Sequence, residues 1–126
     1  MSGALIGLGI DSVDISRFAA ALARRPALSD RLFTDEERAY AARHANPVPS
    51  LAARFAAKEA TMKALGVGLG SFAWSDVSLS RTGLAAPRLI VRGRAASLAS
   101  SQGVTVWHVS VTHTDTVASA VVAAVS

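Results

Sequence analysis

The chain has 126 residues, half of them hydrophobic, with no cysteine and a formal net charge of +4. That length suits one domain with a single core, and the absence of thiols excludes both a disulfide frame and a thiolate metal site. The three histidines, at positions 44, 108 and 113, have no zinc-ligand spacing. No apolar run reaches membrane-spanning length. The N-terminal MSGALIGLGIDS lacks the basic start and long apolar run of a secretory signal, so a cytoplasmic protein with no membrane partner is expected.

Residues 4 to 10, ALIGLGI, read as a short strand ending at Asp11. From about Val13, the apolar positions Ile15, Phe18 and Leu22 fall at helical spacing and run into AAALARR, where Pro26 stops the helix. RLFTDEERAYAARHANP opens a second helix, with Thr34 and Glu37 in capping-box spacing and Asn46-Pro47 as its end. A third helix covers residues 51 to 65 and is closed by Gly66 as its C-cap.

Beyond Gly66 the pattern alternates. SDVSLSR and PRLIVRG read as strands joined by a turn around Thr82-Gly83, followed by the short helix RAASLASSQG. VTVWHVSVTH and TVASAVVAAVS form a final pair of strands around Thr114-Asp115. This order predicts an α+β fold, helices packed on a mostly antiparallel sheet, as one domain over residues 1 to 126.

The third helix, RFAAKEATMKALG, carries four charges on a segment built for burial. On a helical projection Leu51, Phe55, Met62 and Leu65 form one large apolar stripe, while Ala52, Ala53, Ala56, Ala57, Ala60 and Ala64 form a bare surface suited to tight contact. Lys58 projects inside the large stripe, and Arg54 and Glu59 border it. Unpartnered ions out of water cost several kcal/mol, so these groups should meet countercharges or border a polar cleft. A Glu59–Lys63 pair at i,i+4 is the plainest arrangement, but it leaves Arg54 and Lys58 unexplained. Three cations beside one carboxylate suit a polyanionic ligand. They also suit a divalent ion bridging carboxylates to phosphate, as Mg²⁺ does. The second carboxylate is then expected at the sheet rim. Asp11 is one candidate, with an N-cap role as its alternative; Asp14 is the other, with a first-turn role as its alternative.

GVGLGSF is not a phosphate loop, because it follows a helix instead of opening one. Gly66 and the loop after it remain candidates to line a pocket. In WHVSVTHTDT, the residues Trp107, Val109, Val111 and His113 share one strand face, and His108, Ser110 and Thr112 the other. His113 at the strand exit, two residues before Asp115, is either a general base or a hydrogen-bonded turn histidine. Arginines gather in the first third, at 17, 24, 25, 31, 38 and 43, a surface for an acidic partner or simply a solvated helix face. Few aromatics and no recognition motif argue against nucleic acid.

GLGIDSVDISRF, RLFTDEERAYA, RFAAKEATMKALG and WHVSVTHT…ASAVV stand in the order found in holo-[acyl-carrier-protein] synthases, the small 4′-phosphopantetheinyl transferases, and the chain resembles them over nearly its whole length. The resemblance implies transfer of the 4′-phosphopantetheine arm of coenzyme A to a serine of an apo-acyl carrier protein. Adenosine 3′,5′-bisphosphate would be released, and a homotrimer would form active sites between subunits. It maps the two Mg²⁺ carboxylates onto Asp11 and Glu59. Lys58 and Lys63 are then expected on phosphate oxygens, with Arg54 either binding phosphate or holding the carboxylates. The base would be Glu59 through a metal-bound water, or His113 directly. Arg17, at a position the motif matches, and Arg24, Arg25 and Arg31, on charge alone, are expected to dock the acidic carrier. Ser12 and Thr61-Met62 depart from residues common in the family. The alternatives are a non-catalytic module that binds acidic proteins and a nucleotide-binding enzyme of other chemistry.

Overall fold

Alanine and glycine decide the packing at the centre of the molecule. In the structure, a computed structural model describing residues 3–126, strand β1 (Leu5–Asp14) lies across helix α4 (Val48–Leu65). Met1 and Ser2, part of the N-terminal stretch read above as no signal, lie outside the described residues. A Cβ placed on Gly7 or Gly9 would overlap the backbone carbonyls of Ala64 and Ala60. Strand and helix therefore touch backbone to backbone. Two strand residues rise about 6.7 Å and four helix residues about 6 Å, so the glycines meet successive helical turns. All six alanines of the predicted bare surface are buried.

Strands β4 (Val106–His113) and β5 (Val117–Val125) complete an antiparallel sheet in the order β1-β5-β4. Ala118, Ala120, Val122 and Ala124 of β5 point inward, and α4 packs on that face. The opposite face exposes Leu8, Ile10 and Val121. Strands β2 (Val77–Ser80) and β3 (Arg88–Val91) pair as a separate antiparallel hairpin, followed by α5 (Gly93–Ser101). The expected α+β architecture is present. No helix among the described residues is long and apolar enough to cross a membrane.

Several boundaries differ from those read in the sequence. β1 does not stop at Asp11 but stays paired with β5 as far as Asp14, opposite Val117. Asp14, and not Asp11, caps helix α1 (Ile15–Arg24), its Oδ1 accepting from the Arg17 amide at 2.9 Å. An additional short helix, α2 (Leu28–Leu32), precedes α3 (Asp35–Ala42), because Phe33 and Thr34 are extended and Thr34 restarts the helix through the expected capping box. α4 begins at Val48, since Pro49 sits in the first turn, where its missing N–H costs nothing. Gly66 is the left-handed C-cap, φ +67°.

Gly9→Ala should lower folding stability by about 3 kcal/mol or more, because helix and strand backbones would both have to give way. Urea denaturation measures this, and an unchanged midpoint would refute the contact.

Candidate functional site

The contact between β1 and α4 puts Asp11 beside the second half of the helix. Lys63 Nζ donates to Asp11 Oδ1 at 3.1 Å and to the Ile10 carbonyl at 2.9 Å. Glu59, one turn before Lys63, interacts with Asp11. Burial and the neighbouring Asp11 carboxyl together push the Glu59 carboxyl up to about 7, against the pull of Lys63. Two carboxyl groups and one ammonium thus converge from segments 48 residues apart in the chain (59 − 11). Lys63 forms its ion pair with Asp11, not the simple i,i+4 pair with Glu59.

An open cleft of about 710 Å³ adjoins Glu59. Phe18, Phe55 and Trp74 supply its aromatic wall, and Arg17 and Arg31 also line it. Phe18 stacks on Phe55 with centroids 5.2 Å apart, and Phe55 leans on Trp74 at 5.1 Å. A cleft with an apolar wall, two arginines and a carboxyl with raised proton affinity has the composition of a binding site. Ser12, one of the residues departing from the family pattern, also borders it and bonds Ser119 across the sheet at 2.9 Å. Thr61 and Met62 are instead core residues.

Lys58 requires a correction. Its ammonium does not face the acid pair or solvent but is 1% exposed, in a 2.8 Å ion pair with Glu37. It also donates to the carbonyls of Trp74, at 3.0 Å, and Val77. Those three acceptors use its three donors, which leaves none for a phosphate. Burial pulls Lys58 below the ordinary lysine range, and Glu37 opposes that pull. The countercharge was foreseeable from the projection into the apolar stripe, but its identity was not.

Arg54 does not brace Asp11 or Glu59 either. Its guanidinium lies 4.3 Å from the Tyr40 ring centroid and donates to Ser50 Oγ at 2.7 Å, and the carboxylate it faces is Glu37. Its Nε is buried without a hydrogen-bond partner, beside a cavity of about 80 Å³ that Arg81, Ser78 and Ser80 also line. His113 stands in register with Ala118, itself opposite Val13. It is therefore two strands across and two residues along from Asp11, roughly 12 Å between Cα positions. Its Nδ1 is 3.2 Å from the Thr114 carbonyl. Arg24 and Arg25 end α1 outside the cleft lining. Glu37 and Trp74 had no place among the sequence candidates. The signal for Glu37 was the unpaired Lys58, and for Trp74 an indole in a loop directly after the charged helix.

The profile of the 4′-phosphopantetheinyl transferase superfamily matches residues 7–125. A holo-[acyl-carrier-protein] synthase of Beutenbergia cavernae is 47% identical over 120 residues, covering 95% of this chain and 97% of that protein. The crystal structure of the holo-[acyl-carrier-protein] synthase from Neisseria meningitidis superposes with a TM-score of 0.86 at 28% identity, covering 96% of this chain and 98% of the other. A holo-(acyl-carrier-protein) synthase from Bacillus anthracis, solved in complex with CoA (3′,5′-ADP), gives a TM-score of 0.80 at 28% identity, with 97% of each chain covered. The chain belongs to the 4′-phosphopantetheinyl transferase superfamily and is an enzyme of that class.

Glu59 holds its proton more tightly folded than unfolded, so between about pH 4.5 and 7 the native state carries the extra proton. Stability of the protein in chelator should therefore fall as pH rises through that window. Urea midpoints across it should slope less in Glu59→Gln than in the wild type; equal slopes would contradict the raised carboxyl.

Proposed function

We propose that the chain, as a single phosphopantetheinyl transferase domain, moves the 4′-phosphopantetheine arm of coenzyme A to a serine of an acidic apo-acyl carrier protein in the cytoplasm. The product besides the holo-carrier is adenosine 3′,5′-bisphosphate. The observation that carries this reading is the meeting of Asp11, Glu59 and Lys63 at the edge of an arginine-lined cleft. Two adjacent carboxyls, one of which resists ionisation beside the other, fit Mg²⁺, whose charge would remove that penalty. Asp11 and Glu59 would hold it. When bound, it offsets charge on the diphosphate being cleaved.

The remaining work falls to side chains. The serine Oγ attacks the phosphorus that carries the pantetheine arm, a new P–O bond forms, and the bond to the adenosine bisphosphate breaks. Lys63 places a cation where phosphate oxygens gather, and transfer depends chiefly on such positioning and neutralisation. Glu59, acting through a water, takes the serine proton. His113 is the second candidate base. In a homotrimer with active sites between subunits, it would act on a site shared with a neighbouring subunit. Gly66, which closes α4 three residues after Lys63, is the proposed backbone wall on that side. Arg54, with its unpaired Nε beside Arg81, is the candidate for a further phosphate oxygen.

Incubation with coenzyme A, apo-carrier and Mg²⁺ should add the mass of the arm to the carrier. Asp11→Asn and Glu59→Gln should each reduce kcat/KM by about 100-fold or more, as loss of a group that stabilises transition-state charge does. No mass gain with several apo-carriers would favour a non-catalytic binding module instead.

Arg17 and Arg31 at the cleft, with Arg24 and Arg25 at the end of α1, form the proposed docking surface for the carrier. Apparent affinity for the carrier should fall steeply with added salt, and less steeply in Arg17→Gln. A flat response in the wild type would remove this role.

A further inference from the structure

The reaction above makes no use of the buried Lys58–Glu37 pair. Both side chains are 1% exposed, and their other bonds all go to backbone groups. Lys58 Nζ donates to the carbonyls of Trp74 and Val77. Glu37 Oε2 accepts from the Leu79 amide at 3.1 Å, and Oε1 from the Thr34 amide at 3.2 Å. One ion pair thus fastens α3 and the start of β2 to α4, one residue before Glu59.

Trp74 is where this reaches the cleft. It opens a single 3₁₀ turn, Trp74–Asp76, which has no side-chain cap. Its carbonyl accepts a charged hydrogen bond from Lys58, stronger than a neutral one. Its ring leans on Phe55, and both line the cleft with Glu59. Burying an ion pair is a poor route to stability, since neutral replacements of similar volume are often no less stable. What it supplies here is directed bonds to named carbonyls.

We propose that Lys58 and Glu37 are positioning residues, holding Trp74 as the cleft wall so that the apolar surface beside Arg17 and Arg31 keeps the shape that receives the carrier. This rests on the assignment of the cleft to the carrier. The test uses E37Q/K58M, because K58M alone would strand a buried carboxylate. A W107F background leaves Trp74 as the one remaining indole of two. The double variant should unfold cooperatively, with Trp74 emission red-shifted and more readily quenched by acrylamide. KM for the apo-carrier should rise about tenfold, with kcat and the KM for coenzyme A nearly unchanged. K58R, which keeps the charge but redirects the donors, should fall between wild type and E37Q/K58M. W74A with the pair intact should reproduce the rise in carrier KM. If Trp74 emission moves and the rise falls on coenzyme A instead, the positioning role stands and the carrier assignment fails. Unmoved Trp74 emission in both E37Q/K58M and K58R, or unmoved KM values in W74A, would overturn the proposal.

Discussion

Backbone contact between β1 and α4 is the constraint from which the site follows. Glycine at positions 7 and 9 lets the strand approach until the carbonyls of Ala64 and Ala60 fill the space a side chain would occupy. That close approach sets Asp11 beside Lys63 and Glu59. The glycines therefore serve the chemistry without touching it. They also explain why alanine is so abundant in α4, where larger residues on that face would hold the two backbones apart.

Adjacent residues of α4 meet opposite environments because each step turns the helix by about 100°. Lys58 goes into the interior, where an ammonium persists only with a countercharge and full hydrogen bonding. Glu59 comes out at the cleft, partly exposed and beside a second carboxyl. The two neighbours in sequence thus divide the labour: one holds surrounding backbone, and the other offers the cleft a carboxyl beside Asp11.

Much of this was legible in the sequence, for reasons that differ by element. The capping box at Thr34 and the left-handed Gly66 are local devices, and local devices read well. The alanine surface and large apolar stripe of α4 follow from periodicity alone. The strand's end offered both Asp11 and Asp14 as partners for Glu59, and only the family resemblance chose Asp11, since β1 runs past Asp11 and takes its rim from the helix, not from its own end. What the sequence did not disclose depends on long-range partners. Nothing local marks Glu37 as both a capping residue and the countercharge of Lys58, because one carboxylate oxygen, Oε1, meets both demands at once. The phosphate role expected of Lys58 failed for the same reason: a cation in an apolar stripe signals a partner, and whether that partner is a ligand or a buried carboxylate is decided by residues 21 positions away.

The outer face of the sheet bears on how the site is completed. Leu8 and Ile10 of β1 and Val121 of β5 point away from α4 and stand open. Strand alternation makes this unavoidable: with Gly7, Gly9 and Asp11 committed to the helix, the residues between them must face outward. A sheet that exposes such a row suits burial against other copies of the same chain. His113 lies at the end of that sheet, on its edge strand, where a neighbour's cleft could meet it. The proposed trimer would use one geometric fact twice, covering the outward aliphatic row and bringing the edge histidine to a neighbour's cleft.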